Sequence, residues 1–301
     1  MSFRTVIIDN QSKLSYKNNY LVVRTSDDIK SIHIDEINTL IVNTTAASIT
    51  SYLITEMVKN KINIIFCGEY KNPIAEVNAY YGSHNTSKKI DIQTKWTDEK
   101  KGLVWKSIVK QKIINQMWLL NKINHENKDL LLEYANNITF NDETNREGHA
   151  ARAYFYGIFG SDFGRSKNND INAALNYGYA ILLSAINREV VANGYLTQIG
   201  IKHKNEFNNF NLSSDLIEPF RVIVDVFVYS NLELSFDKEY KIKLINLLNN
   251  RYLYNNKEYL LNDILKQYIK NVLDVLNDGN INNLKEFNMY EGSSNEEYYI
   301  F

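Results

Sequence analysis

The segment TNREGHAARAYF, residues 144–155, places charged side chains on a helix that is otherwise apolar. Its Glu, Ala, Arg and aromatic residues, with no proline, predict a helix. Glu147 then lies among Ala150, Tyr154 and Ile158, although an amphipathic helix normally keeps acids off its packed face. A carboxylate in such surroundings needs a cation, a metal ion or a shell of hydrogen bonds. We interpret Glu147 as a metal ligand whose partners come from the rest of the chain.

The composition sets limits on the class of protein. The chain has 301 residues, 44% of them hydrophobic, which favours one large or two modest domains. The net charge is 34 − 35 = −1, so any nucleic-acid-binding surface must be local. The single cysteine, Cys67, excludes an intramolecular disulfide and is interpreted as a buried, inert thiol. Without an apolar run near ~20 residues or a signal peptide, we expect a cytoplasmic protein with no membrane segment.

The pattern of the chain predicts an α+β protein. Residues 1–75 contain several short β-rich runs, which predict a small N-terminal β-sandwich-like domain with one helix. A hairpin is expected around the turn at residues 17–19, and the helix is expected to start at Ser48 as N-cap and to end near Asn60. Periodicity fades over residues 76–96, which are assigned to an interdomain linker.

Residues 97–301 predict a larger all-α catalytic domain. Helices are expected at 97–123, 127–138, 143–160, 168–193, 214–230, 237–250 and 259–277. The tail from about residue 279 is rich in Asn, Ser and Glu and is expected to be loosely ordered. Its acids could instead bind a partner, and they are Glu286, Glu291, Glu296 and Glu297.

Two further segments supply candidate ligands. His203 lies in a short glycine-containing segment between two long helices. In SSDLIEPFR, residues 213–221, Ser213 or Ser214 can cap a helix whose first turn then holds Asp215, where the helix dipole alone could account for the acid. Glu218 follows three residues later on the same face, at the start of a nearly all-apolar helix. Both acids thus stand at the beginning of a core element.

Glu147, His203 and Glu218, with Asp215 behind them, form a mixed nitrogen and oxygen ligand set. Carboxylates favour Mg²⁺ or Mn²⁺, and an imidazole tilts the choice towards Mn²⁺ or a transition metal. A structural zinc site is excluded, since cysteine ligands are absent. His149 is two residues from Glu147 and points to a different part of the helix surface. It is a candidate for supporting a ligand or for contacting DNA.

Four segments, in this order and spacing, resemble CRISPR-associated protein one, the integrase subunit of CRISPR spacer acquisition. They are NREGHAAR at 145–152, NAALNYGY at 172–179, GIKH at 200–203 and DLIEPFR at 215–221. The combination looks most like the type II branch, and the resemblance covers nearly the whole chain. It implies a small β-sandwich, a linker and a helical catalytic domain.

The resemblance also implies an activity. In the family, the positions of Glu147, His203 and Glu218 bind the metal, and Asp215 matches an additional acid; many relatives carry Asp at the position of Glu218. The implied reaction joins the 3′-hydroxyl of a prespacer to a CRISPR repeat by transesterification on double-stranded DNA. The implied assembly is a homodimer bridged by CRISPR-associated protein two, and other type II CRISPR proteins are possible partners.

A DNA integrase must also hold the phosphate backbone. Residues 88–112 contain eight lysines, which form either a DNA-binding surface or an ordinary solvated helix face. Other cations flank the proposed site and are the better candidates for phosphate contacts, together with His149. They are Arg146, Arg152, Arg165, Lys167, Lys202 and Lys204.

Two other functions stay open at this point. One is a non-catalytic DNA-binding scaffold of the same fold, against which the intact ligand set speaks. The other is a stand-alone metal-dependent endonuclease on branched DNA, in which water replaces the attacking 3′-hydroxyl at the same site.

Overall fold

A computed structural model describes residues 4–69, 71–77, 79 and 83–289. The chain separates into two compact units. The first comprises the residues up to 86 together with 191–195, and the second comprises 87–190 and the residues from 196 onward. Each unit has its own core, and the candidate site lies in the second.

Over its described residues, the first unit contains two four-stranded sheets and one complete α-helix. Its strands are β1 (Arg4–Ile8), β2 (Ser12–Lys17), β3 (Tyr20–Arg24), β4 (Ile29–His33), β5 (Ile37–Val42), β6 (Ala47–Ile49), β7 (Asn63–Cys67) and β8 (Pro73–Val77), and its helix is α1 (Ser51–Lys59). One sheet has the order β1-β5-β7-β8 and is parallel except for β8. The other has the order β4-β3-β2-β6.

A single hydrophobic core joins the two sheets to the helix. Leu14 and Leu21 come from one sheet, Leu40 and Ile64 from the other, and Leu53 from α1; all are buried. Alternating residues of each strand point to this core, because successive side chains of a strand face opposite sides of the sheet. The predicted β-sandwich-like domain with one helix is confirmed.

Local predictions in this unit had mixed outcomes. The hairpin at residues 17–19 is confirmed, with Asn18 and Asn19 at φ of 52° and 66° in the two turn positions, which asparagine tolerates well. The predicted N-cap was wrong. Ser48 lies in β6, and the cap is Thr50, whose hydroxyl oxygen accepts a hydrogen bond from the Leu53 amide at 3.3 Å.

The second unit is helical, as predicted, apart from one hairpin. Its helices are α2 (Thr86–Thr94), α3 (Asp98–Lys122), α4 (Asn127–Asn136), α5 (Arg146–Phe159), α6 (Asp170–Ala192), α7 (Asn211–Leu216), α8 (Arg221–Tyr229), α9 (Lys238–Asn246) and α10 (Leu261–Asp278). The hairpin pairs β9 (Arg251–Tyr254) with β10 (Lys257–Leu260). Six of the seven predicted helices match within a few residues. The helix predicted at 214–230 is instead divided into α7, a 3-10 turn at Glu218–Phe220 and α8, because Pro219 cannot continue an α-helical bond pattern.

The segments predicted to lack structure carry more of it than expected. The proposed linker, 76–96, contains α2. The tail is packed up to residue 289, so the prediction of loose order was wrong there. Phe287 is fully buried and stacks on Phe220 with 4.5 Å between ring centres, and Asn115 of α3 bonds to the backbone of both Phe287 and Met289. The buried Phe287 and Met289 side chains and the Asn115 hydrogen bonds thus fix an otherwise polar tail. Residues 290–301, with Glu291, Glu296 and Glu297, lie outside the described residues.

Cys67 is buried, as predicted. Among the residues that the structure describes, no helix combines the length and apolar character needed to cross a bilayer.

Candidate active site

Glu147 lies in the first turn of α5, and an acid that precedes the helix fixes its position. The buried Asp142 carboxylate accepts hydrogen bonds from the amides of Arg146, at 2.8 Å, and Glu147, at 3.0 Å. These amides are donors that the helix itself leaves unpaired. Asn145 adopts φ of 52° to turn the chain into the helix. The backbone of Glu147 is therefore well fixed, and its side chain is 24% exposed.

Lys112 of α3 bridges Glu147 to Glu218. Its ammonium nitrogen lies 2.6 Å from Glu147 Oε1 and 2.5 Å from Glu218 Oε2. The lysine is 8% exposed, so it belongs to the protein interior and not to the solvated or DNA-facing surface suggested for residues 88–112. Two carboxylates from separate elements therefore meet at one cation.

Glu218 is held by a second cation as well. Arg221 Nε donates to Glu218 Oε1 at 2.9 Å. Burial alone would raise the pKa of Glu218, but Arg221 and Lys112 outweigh it and lower that pKa to about 2. Burial likewise works to lower the pKa of Lys112, and the charges of Glu218 and Glu147 reverse this, so its pKa is raised. Glu218, Lys112 and Arg221 are therefore charged near neutral pH.

The turn that carries Glu218 is fastened to α3. The Asn115 side-chain amide, which is fully buried, donates to the Pro219 carbonyl oxygen at 2.8 Å. Asn115 lies three residues after Lys112 on the same helix, slightly less than one full turn. Helix α3 thus supplies both the cation between the carboxylates and the bond that places one of them.

Asp215 organises the loop that carries His203. It is fully buried and is the second-to-last residue of α7. The prediction that Asp215 lies in the first turn of a helix capped by Ser213 or Ser214 was therefore wrong. Its Oδ2 accepts from the amides of Ile201, at 2.6 Å, and Lys202, at 3.0 Å. Its Oδ1 accepts from the His203 amide at 3.2 Å and lies 2.6 Å from His203 Nδ1. One carboxylate therefore fixes both the loop and the imidazole.

The His203 ring uses Nδ1 for its hydrogen bond to Asp215. The bond to Asp215 raises the pKa of His203; burial opposes this, and the charges of Asp215, Glu218 and Glu147 add to the increase. The ring lies edge-on to Trp105 of α3, with 5.9 Å between centres. Because Nδ1 faces Asp215, Nε2 is the nitrogen available to a ligand or substrate, as in carboxylate–histidine pairs at metal sites.

The donor set suits a hard divalent ion. Two carboxylates and one imidazole are ligands typical of Mg²⁺ or Mn²⁺ sites with room for substrate oxygens. Over the described ranges, however, no three His, Cys, Asp or Glu side chains are arranged so that they could hold a metal ion. The Lys112 ammonium stands between Glu147 and Glu218, so a monovalent cation of the protein itself balances their charge.

The predicted DNA-binding residues fall into two groups. Arg152, Lys204 and His149 are exposed, and His149 lies beside Tyr134 and not with the acids. The remaining four make contacts within the protein, although Arg165 and Lys167 are exposed as well. Arg146 lies over the Tyr134 ring at 5.3 Å, Arg165 donates to Asn172 and Asn176, Lys167 donates to the Asp162 carbonyl oxygen, and Lys202 donates to the Asn141 carbonyl oxygen at 2.9 Å.

Sequence reasoning missed another buried acid, Asp225 of α8. It is 1% exposed and accepts hydrogen bonds from the hydroxyls of Tyr154, at 2.9 Å, and Tyr179. Burial raises the pKa of Asp225 to about 6, and the two tyrosine bonds and Arg221 limit the increase. Its position in the sequence could have identified it, because Asp225 is the only charged residue in the otherwise apolar run 222–228.

Lys112 was missed because it was counted within a run of lysines. Helical spacing identifies it. Trp105, Ile108 and Lys112 are separated by three and four residues, and all three are buried. A lysine on the packed stripe of a helix requires a buried acid as its partner, and two are present.

This geometry coincides with a match to a protein family. The model of the CRISPR associated protein Cas1 family matches residues 5–239, which span both units and every residue of the site. The chain belongs to the Cas1 family. The sequence prediction of this family from four motifs is therefore confirmed.

Among curated relatives, the chain is similar to the CRISPR-associated endonuclease Cas1 of Neisseria meningitidis serogroup C, strain 8013. The two are 31% identical over 229 residues, which cover 76% of this chain and 75% of the relative.

Solved structures share the fold. A casposase bound to its integration product has a TM-score of 0.77 at 18% identity. The match covers 100% of this chain and 96% of the casposase chain. A Cas6-RT-Cas1–Cas2 complex has a TM-score of 0.75 at 17% identity. It covers 94% of this chain, which spans only 36% of that longer protein. These likenesses establish the architecture of a Cas1 protein.

Proposed function

We propose that this Cas1 protein is a metal-dependent DNA integrase of CRISPR adaptation. The observation that carries the proposal is the meeting of Glu147 and Glu218 at one cation, together with a histidine that Asp215 orients and whose pKa the charges of both glutamates help to raise. Glu147, Glu218 and His203 would hold Mg²⁺ or Mn²⁺. The bound ion would neutralise charge on a phosphate and lower the pKa of an attacking hydroxyl.

The reaction exchanges one phosphodiester for another. The 3′-hydroxyl oxygen of a prespacer strand attacks a phosphorus atom at the edge of the repeat, and the bond from that phosphorus to the repeat strand's 3′-oxygen breaks. The attacking hydroxyl loses a proton and the released 3′-oxygen gains one. The number of phosphodiester bonds is unchanged, so the step needs no nucleotide hydrolysis.

The residues around the ligands have distinct tasks in this proposal. Asp215 holds the His203 ring so that Nε2 faces outward, and Arg221 holds Glu218. Lys112 keeps the two carboxylates together in the metal-free protein, and it must release at least one carboxylate oxygen when they act as ligands. Its ammonium is then free to approach the phosphate that reacts there.

The proposed partners are double-stranded DNA, a second copy of the chain and CRISPR-associated protein two. They rest on the family resemblance and on the names of the solved complexes, one with Cas2 and one with an integration product. The type II branch, and with it contact with other type II CRISPR proteins, rests on the motifs at 145–152 and 215–221.

The test is a reconstituted strand-transfer assay. The purified protein, Cas2 and Mn²⁺ are incubated with a labelled prespacer and a supercoiled plasmid that carries the repeat. Covalent joining of the label to the plasmid, lost on chelation, is the expected result. A protein that binds both DNAs but never joins them would be the non-catalytic scaffold.

A second candidate is a stand-alone endonuclease, which the name of the Neisseria relative favours. The same side chains would then direct water at the phosphorus. The labelled substrate separates the two functions, because hydrolysis releases a nicked strand without joining it, whereas strand transfer produces a longer labelled product.

A further inference from the structure

Phe207 is held out into solvent close to the candidate site in sequence. Its relative exposure is 86%, the greatest among the large hydrophobic side chains of the described residues. An aromatic ring so exposed loses the favourable burial that such a side chain normally gains on folding. It follows His203 by four residues in the same loop.

The loop around Phe207 is tightly hydrogen-bonded. The Phe207 amide donates to Asn205 Oδ1 at 2.9 Å. The Asn211 side chain, buried in α7, accepts from the Asn205 amide at 3.3 Å and donates to the Asn205 carbonyl oxygen at 2.9 Å. The residue after Phe207, Asn208, donates a hydrogen bond from its side-chain amide to Ser214 Oγ at 3.2 Å. The exposure of the ring is therefore built into the loop and does not come from a slack segment.

The same helix fixes His203. Asp215, four residues after Asn211 in α7, binds the His203 amide and its Nδ1. Anchors one helical turn apart thus hold the exposed ring and the imidazole in a fixed relation. A group that binds Phe207 is thereby positioned relative to the candidate active site.

The surroundings of the ring favour a nucleobase over a protein partner. Its neighbours in the chain, at residues 205, 206, 208 and 209, are three asparagines and Glu206, so these positions add no apolar surface to the ring, whereas protein interfaces are marked by contiguous apolar patches. The loop carries Lys202, His203 and Lys204 against the single acid Glu206, a balance that suits a polyanion. Single aromatic rings beside cations are a usual platform for unpaired bases.

We propose that Phe207 stacks on an unpaired nucleobase at the end of the DNA strand that reaches His203. This proposal rests on the proposed function, since it places a strand end at the site. A base within a duplex presents no free face, so the ligand is a single-stranded overhang.

The experiment uses 2-aminopurine, whose fluorescence falls on stacking, as the last base of a 3′ overhang. Binding is titrated in chelator, so that no chemistry takes place, with wild type, Phe207→Ala, Phe207→Trp and the control Tyr156→Ala. Tyr156 is also an exposed aromatic, at 51%. We expect strong quenching with wild type, Phe207→Trp and the control. Phe207→Ala should lose most quenching and bind the overhang roughly tenfold more weakly, as for one stacked base, with blunt duplex affinity unchanged.

Two outcomes would overturn the proposal: Phe207→Ala quenching as wild type does, or equal weakening for overhang and blunt DNA. Thermal melting of each variant excludes misfolding as the cause. Failure of the proposed function is recognised separately, because quenching would then persist in a protein that never joins DNA in the strand-transfer assay.

Discussion

The helical unit contains two buried acid clusters that are balanced in different ways. Asp225 receives hydrogen bonds from two neutral tyrosine hydroxyls, whereas Glu147 and Glu218 are joined by the Lys112 ammonium. Burial raises the pKa of Asp225 to about 6, because the hydrogen bonds from the two neutral hydroxyls offset it only in part. A cation keeps an acid ionised, and the pKa of Glu218 is about 2. In the proposed function a metal ion would take the position that the Lys112 ammonium holds between the two carboxylates.

Arg221 connects the two clusters. Its Nε holds Glu218, and its guanidinium carbon lies 4.7 Å from the centre of the Tyr179 ring, whose hydroxyl bonds Asp225. The tyrosine cluster thus supports the arginine that supports a ligand. We interpret Asp225 as part of the scaffold and the Glu147–Glu218 pair as part of the chemistry.

The largest effect that this comparison predicts is on strand transfer. Glu147→Gln keeps the shape of the side chain and removes the charge that an ion requires. We expect a loss of more than ~100-fold, beyond the loss that outer partners of a metal site typically cause. Asp225→Asn should stay within a few-fold of wild type when assayed well below its melting temperature.

The control for this measurement is Glu143→Gln, an exposed acid just before the same helix. Single-turnover joining rates and melting temperatures are measured for all three variants. If Asp225→Asn lost as much activity as Glu147→Gln while remaining folded, the division into scaffold and chemistry would be wrong.

A second prediction concerns stability against pH. The unfolded Asp225 carboxyl releases its proton near pH 4, but the folded one does so near pH 6, so the folded state binds more protons between these values. The free energy of unfolding should therefore contain a part that falls as the pH rises from about 4 to about 6, on the order of 3 kcal/mol. Glu218 has the opposite sign, because its lowered pKa contributes stability that is lost as the pH falls through about 4 towards 2.

Urea unfolding of wild type and Asp225→Asn in chelator, from pH 4 to pH 7, measures this contribution. The groups facing Asp225 are Tyr154, Tyr179, Arg221 and Arg165. We expect the free energy of unfolding of wild type to fall relative to that of Asp225→Asn as the pH rises from about 4 to about 6. Parallel curves would show that Asp225 titrates at its ordinary value.

The smallest effect is expected at exposed cations, which neutralise no buried acid. Arg152→Gln and Lys204→Gln should each weaken DNA binding a few-fold, equally for all sequences, and reduce the slope of log affinity against log salt by about one. Lys266→Gln, an exposed lysine of α10, is the control. An unchanged slope for Arg152 and Lys204 would remove them from the DNA-binding surface.

Much of the site could be predicted from sequence because its acids break local rules. Glu147 interrupts an apolar face, and Glu218 stands in the turn just before the apolar helix α8. Lys112 could not be placed in the same way, since its partners lie 35 and 106 positions away and only the fold brings them together. The true task of Asp215 also depends on the fold, because the amides that it binds belong to a loop more than ten residues earlier.

The fold shows the same contrast between local and distant signals. The sandwich and most helices follow from periodicity, and the hairpin follows from its Asn-Asn turn. The break at Pro219 also has a local cause, the proline itself, although the prediction ran one helix through it. The packed tail does not follow from local signals, because Asn115 holds it from a distance in the chain. Local composition alone made residues 279–289 look loosely ordered.

The most direct test of the account is Mn²⁺ binding to the metal-free protein with and without Lys112. Calorimetric titration compares wild type, Lys112→Met and the control Lys110→Met, an exposed lysine of the same helix. Without Lys112 the two carboxylates repel each other, so Lys112→Met should melt at a lower temperature in chelator and bind Mn²⁺ roughly tenfold more tightly, because breaking a buried pair costs several kcal/mol that no longer oppose the metal. Equal or weaker Mn²⁺ binding by Lys112→Met would contradict the claim that this ammonium stands in the place of the ion.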